Sequence, residues 1–161
     1  MSSYQLRQFF QIFVSFFVAW LLMILPMPFD WQWLRPDWLT LVLIYWIFTL
    51  PQSVGILTAW CAGLVMDILS GGILGQQALS MVVVAFFART LRYRLRLFPF
   101  WQQALGILLL VGLKDLVLLL VQWLIGHPPR TLLYWASTVS SVLLWPYVYR
   151  LLQVYERKVL V

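Results

Sequence analysis

Between Phe9 and Leu152 the chain is a series of apolar runs, and charge is confined almost wholly to the gaps between them; Asp67, Lys114 and Asp115 are the exceptions. An ionised side chain at the centre of a bilayer costs at least ~2.5–3.5 kcal/mol, so each of the three needs a partner or a task. The rest of the composition points to the same solvent. With 161 residues, 63% hydrophobic and 10% charged, a water-soluble domain would have to expose apolar surface that drives aggregation. The reading is an all-α membrane protein, a single polytopic domain over residues 1–161 with short loops and no soluble domain.

Proline, glycine and charge punctuate the runs. A spanning helix takes roughly 17–25 residues, and six are predicted at about 9–25, 36–50, 53–69, 74–89, 101–125 and 132–152. The first begins without a small-x-small cleavage site and is read as a helix that stays in the membrane. Pro26 and Pro28 stop it, and Trp31 and Trp33 in the following loop suit the aromatic belt of a bilayer interface. Arg35-Pro36-Asp37 opens the second helix, with proline preformed for a first turn and the acid complementing the positive end of the helix dipole. Pro146 should kink the sixth helix.

Orientation follows from Lys and Arg. Arg7, Arg89, Arg92, Arg94, Arg96, Arg150, Arg157 and Lys158 fall on one side of a six-helix bundle, Arg35 and Arg130 on the other. The positive-inside rule therefore places both termini in the cytoplasm. The net charge of +6 is explained by headgroups and topology rather than by nucleic acid. Cys61 is alone in the chain and cannot form an internal disulfide. His127 is the one histidine, without cysteine neighbours, and makes no metal site.

Gly55, Ala59, Gly63 and Asp67 recur at every fourth position of the third helix and share one stripe. Small residues in line admit the backbone of a second helix. Two readings of Asp67 stand side by side. It closes a packing seam by accepting from backbone amides of the glycine-rich turn at Ser70-Gly71-Gly72, or it belongs to a coupling surface for a partner. Gly71 and Gly72 permit a tight turn at positive φ. Gly71 and Gly75 also spell GxxxG, which arises by chance in so apolar a chain. Lys114 and Asp115 are adjacent in the fifth helix and point about 100° apart, so they pair poorly with each other. Lys114 is expected to reach Asp67 on the third helix. The alternative is that both face a wet cavity or hydroxyls of the sixth helix, Ser137, Ser140 and Ser141. No GxSxG, HExxH or clustered acid pair is present, and nothing else in the chain suggests an enzyme or a cofactor.

Several short motifs, taken in order, resemble a known family. They are RPDW (Arg35–Trp38), LIYW followed by LP (Leu43 to Pro51), MDILSGGILG (Met66–Gly75), WQQAL (Trp101–Leu105), KDLV (Lys114–Val117) and LLWP (Leu143–Pro146). With the length and the six-helix layout, the chain resembles the MreD family of rod shape-determining proteins in its gammaproteobacterial form. The resemblance covers nearly the whole chain. It implies a non-enzymatic inner-membrane scaffold of the elongasome that acts with MreC, MreB, RodA and its penicillin-binding transpeptidase in lateral peptidoglycan synthesis. It also implies a fold similar to the substrate-binding subunits of energy-coupling-factor transporters, with a cavity open to the outside. Pro36, Asp67, Gly71 and Asp115 match the family-like positions, whereas Lys114 is not assigned to that pattern. The rival from another class is a small-molecule-binding subunit of a transporter, which needs a solvated cavity with several convergent polar side chains.

Overall fold

A computed structural model describes residues 2–130 and 132–160. Six α-helices and no strand occur among them: α1 (Ser3–Ile24), α2 (Trp38–Thr49), α3 (Ile56–Ser70), α4 (Gln76–Leu97), α5 (Phe100–Ile125) and α6 (Ala136–Leu160). Single 3-10 segments at Phe29–Leu34 and Leu132–Trp135 lead into α2 and α6. The number of helices agrees with the sequence reading, and several boundaries differ from it.

Local chemistry sets the ends. Ser2 and Gln5 form a reciprocal capping box at the start of α1 (3.2 and 3.4 Å), satisfying two amides that have no intrahelical acceptor. Arg35 donates to the carbonyls of Met23 and Leu25, closing the other end of α1, where carbonyls lack partners and the dipole favours a cation. Gly71 ends α3 at φ 66°, in the left-handed region where a Cβ is penalised. Gly72 is not in that region, and the second left-handed glycine of this turn is Gly75 (φ 96°). Gly71 and Gly75 both precede α4, so their GxxxG spacing packs no helix.

The basic stretch after Arg89 is not a loop. α4 runs on to Leu97 because Leu91 and Leu95 continue its apolar face into the core, while Arg is a good helix former and suits a C-terminal turn. Charge marked where the apolar composition stopped, and the helix outlasts it. α6 likewise continues to Leu160 with Pro146 inside it.

α2 organises the bundle. It has twelve residues, of which ten are buried on every face of the helix, the pattern of a helix enclosed by others. α1, α4 and α6 pack around it, α3 lies along α4, and α5 bridges α4 and α6. Polar ties cross these contacts. Trp46 Nε1 donates to Ser15 Oγ (2.7 Å), Thr40 Oγ1 to Met81 Sδ (3.5 Å), and the Tyr45 hydroxyl to Glu156 (2.9 Å).

The polarity is inverted relative to a water-soluble fold. Gln11, Ser15, Thr40, Ser80, Gln103, Thr138 and Ser141 are buried together with Asp37, Asp67, Lys114 and Asp115. Phe9, Phe13, Phe17, Leu109, Trp123, Leu124, Leu143 and Leu151 are exposed. α1 and α5 are long and apolar enough to cross a membrane, and α3 is a shorter apolar helix. α2 falls short of a span by length, and α4 and α6 carry arginines at one end.

Candidate functional site

The two ends of the bundle differ in charge. At one, here the acidic end, α2, α4 and α6 start and α1, α3 and α5 stop. Asp37, Asp67 and Asp115 lie towards it. At the other, the basic end, Arg89, Arg92, Arg94, Arg96, Arg157 and Lys158 gather around the last turns of α4 and α6.

At the acidic end a short polar network joins three helices. Asp37 is the N-cap of α2, where its Oδ1 accepts from the Thr40 amide (3.3 Å). Its Oδ2 accepts from Lys114 Nζ of α5 in an ion pair whose side chains are 7% and 3% exposed. The Asp37 amide donates to Ser141 Oγ of α6 (2.8 Å), and Ser141 donates to the Ser137 carbonyl (2.8 Å). Ser137 Oγ in turn donates to the Arg35 carbonyl (2.7 Å). Beside this, Thr138 Oγ1 donates to Asp115 Oδ2. Both carboxylates of the network are thus bonded inside the bundle. Removing one member of such a buried pair costs about 3–5 kcal/mol, because the survivor is left charged and unpaired.

The expected Lys114–Asp67 bridge is not formed; Lys114 pairs with Asp37. The physical reason is the shortness of α2. Its first turn is drawn into the bundle by enclosure on all sides, which puts Asp37, read from sequence as an acid in the opening turn of the second helix, beside the middle of α5. Asp115 meets a hydroxyl of α6, at Thr138 rather than at the three serines. Pro36 is buried immediately before this cap.

Asp67 closes the α3–α4 hairpin. Its Oδ2 accepts from the amides of Gly75 (2.9 Å) and Ala78 (3.4 Å), and its Oδ1 from that of Gln77 (3.0 Å). A carboxylate on three amides at a helix N-terminus satisfies orphan donors and complements the dipole. The stripe above it faces α4. Ala59 and Gly63 are buried, and a Cβ on Gly63 would lie 2.5 Å from the Ala78 Cα, so the two backbones touch there as small residues allow. Gly55, the N-cap of α3, lies beside Arg89. Ala59, Gly63 and Asp67 of the stripe are therefore covered within the chain and Gly55 is half-buried, while Gly71 and Gly72 are exposed at the acidic end.

A cavity of about 210 Å³ opens beside the network, lined by Arg35, Asp37, Gln77, Lys114, Asp115 and Ser137 among others. Its charged lining holds two cations and two carboxylates, of which Lys114 and Asp37 form an ion pair. Gln77 Oε1 is buried there without a partner. Asp67 does not line it. The sequence pointed to Lys114 and Asp115 but missed Asp37 and Thr138. The signal that could have found Asp37 is the insufficient length of the second apolar run, which draws its leading acid inward.

Among the described residues no three His, Cys, Asp or Glu side chains gather as metal ligands. Comparison with known proteins gives a consistent result. A family model described as rod shape-determining protein MreD matches residues 3–155. A protein of Haemophilus influenzae named rod shape-determining protein MreD is 32% identical over 162 aligned positions, covering 99% of this chain and 98% of that one. No solved structure matches the chain.

Proposed function

The chain belongs to the MreD family of rod shape-determining proteins, and from that membership and its self-fastened polar interior we infer that it is a non-catalytic scaffold of the bacterial inner membrane. In this reading the six helices are embedded in the bilayer with both termini in the cytoplasm. The basic end then faces inward and the acidic end outward. The apolar exterior supports the embedding, because buried polar groups within an apolar shell suit a lipid solvent. The asymmetry of Lys and Arg supports the orientation.

The observation that carries the scaffold reading is that Asp37, Asp67, Lys114 and Asp115 all bond to groups of this chain. Their chemistry holds helices together, and no nucleophile is paired with a base among them. What remains for function is the outer surface of a fixed bundle. The scaffold binds MreC and thereby couples MreB filaments to RodA and its penicillin-binding transpeptidase in lateral peptidoglycan synthesis. Of the candidate partner positions, Gly71 and Gly72 keep an accessible surface. Gly55, Ala59, Gly63 and Asp67 act through the α3–α4 hairpin.

One observation favours a second reading, a small-molecule-binding subunit of a transporter. The cavity at the acidic end brings seven polar or charged side chains together, as a ligand site requires. Against it, the charges there already neutralise one another.

A detergent pull-down from native membranes separates the two. Capture of MreC by the tagged protein supports the scaffold. Absence of MreC, with a small molecule retained by a folded protein, supports the transporter subunit. Alkaline phosphatase fusions after residues 52 and 98 should be inactive and those after 72 and 128 active; the reverse pattern overturns the orientation.

A further inference from the structure

The basic end holds a second polar pocket, of about 230 Å³, between α2, α4, α5 and α6. Arg96 of α4, Gln103 of α5 and Gln153 and Arg157 of α6 line it, with Tyr45 and Thr49 of α2. Its electrostatics are unlike those of the outer cavity. Two guanidinium groups face one carboxylate, and that carboxylate, on Glu156, accepts the Tyr45 hydroxyl (2.9 Å). Among the described residues neither arginine is in an ion pair. The pocket thus keeps a net positive charge in a position that the fold does not neutralise. Gln103 is only 7% exposed, and its Oε1 is buried without a hydrogen-bond partner. Such an atom calls for a donor from outside the chain, from water or from a ligand that displaces it. An occupant that brings an anion for the arginines and a hydroxyl or similar donor for Gln103 fits this lining.

The rim states what else it carries. Leu97 is 86% exposed beside Arg96, and Phe98 and Trp101 are exposed on the same α4–α5 connection. Phe100 packs on Tyr149, another lining residue, with ring centroids 6.1 Å apart. Aromatic and apolar groups next to arginines at a helix end match the depth of the headgroup region. A soluble anion has no use for that rim, but acyl chains do.

We propose that this pocket binds the phosphoglycerol headgroup of an anionic glycerophospholipid, with Arg96 and Arg157 holding the phosphodiester oxygens and Gln103 Oε1 accepting from a headgroup hydroxyl. Guanidinium groups recognise phosphate oxygens through charge-assisted hydrogen bonds. The assignment rests on the membrane embedding proposed above, and on the proposed orientation for which leaflet supplies the lipid.

The test uses the full-length protein in an uncharged detergent, titrated with dioctanoyl phosphatidylglycerol, dioctanoyl phosphatidylcholine, glycerol phosphate and inorganic phosphate. Native mass spectrometry and thermal shift supply the readouts. The wild type should prefer phosphatidylglycerol to phosphatidylcholine and to both free phosphates by about tenfold or more. Arg96→Gln and Arg157→Gln should each weaken that lipid about tenfold. Arg94→Gln, which removes the same charge from an exposed position outside the pocket, should change it less than about twofold.

Equal weakening by Arg94→Gln overturns the site in favour of diffuse attraction to headgroups. Free phosphate binding as tightly as the lipid overturns the lipid assignment, and binding of no probe overturns the site altogether. The wild-type preference needs no variant, so a substitution that fails to fold does not rescue the proposal. Because the probes meet the isolated protein, failure here leaves the scaffold reading standing. A wild type that selects phosphatidylglycerol but never captures MreC has the converse meaning.

Discussion

The two ends of this bundle hold similar materials and use them in opposite ways. At the acidic end, the buried charges are bonded inside the chain, Asp37 to Lys114, Asp115 to the Thr138 hydroxyl and Asp67 to backbone amides, and they fasten it. At the basic end, arginines crowd around two helix termini and meet one glutamate. The difference shows that a polar group in an apolar protein has two fates. Bonded internally it is structure, and left over it is a place for something else. Stability should therefore reside at one end and ligand selection at the other.

Four single substitutions and one second-site change break or sharpen this contrast. The largest effect is expected for Lys114→Met, which strands Asp37 in the core and should lower stability by ~3–5 kcal/mol in detergent unfolding followed by tryptophan fluorescence. Adding Asp37→Leu should recover most of the loss, since a well-packed apolar replacement of a buried pair is often neutral. A single substitution without effect would deny that the acidic end is fastened by this pair. Asp67→Ala comes next, at ~1–3 kcal/mol, by leaving three amides at the start of α4 without an acceptor. Protease susceptibility of the segment between Ser70 and Gln76 should rise with it. Thr138→Val, which takes one donor from Asp115, should cost ~1 kcal/mol, read as a small drop in melting temperature. The smallest effect on stability is expected for Arg96→Gln, within about ±0.5 kcal/mol. If it destabilises as much as Asp67→Ala, the basic end is structural too and the contrast collapses.

The helices were legible in the sequence because proline, glycine and charge interrupt apolar runs one after another. Their ends were legible where a local cap decides them, as at Gly71, and less so where packing decides, as in the last two turns of α4. Within the acidic end, Lys114 and Asp115 announced themselves by lying in the middle of an apolar run. Asp37 did not, because its neighbours Arg35 and Pro36 describe a helix start and say nothing of its depth. That depth comes from the enclosure of α2 by α1, α4 and α6, a property of the assembled bundle. The α3 stripe was visible as a periodicity, but whether α4 or another protein fills it depends on the hairpin that Asp67 closes. The basic pocket was illegible for the same kind of reason. Arg96, Gln103 and Arg157 stand on three helices, and no spacing in the sequence relates them.

The pairing of Asp37 with Lys114 spans 77 positions of the chain, and that separation is also an interval of time. At about 5–20 residues per second of synthesis, the acid leaves the ribosome roughly 4–15 s before the lysine that will neutralise it. α2 is too short and too enclosed to settle on its own, so its place in the bundle is provisional until α5 arrives. The ion pair is then a late latch in biogenesis. A chain truncated before Lys114 should leave α2 unanchored and open to quality-control proteases, however well α1 has already formed.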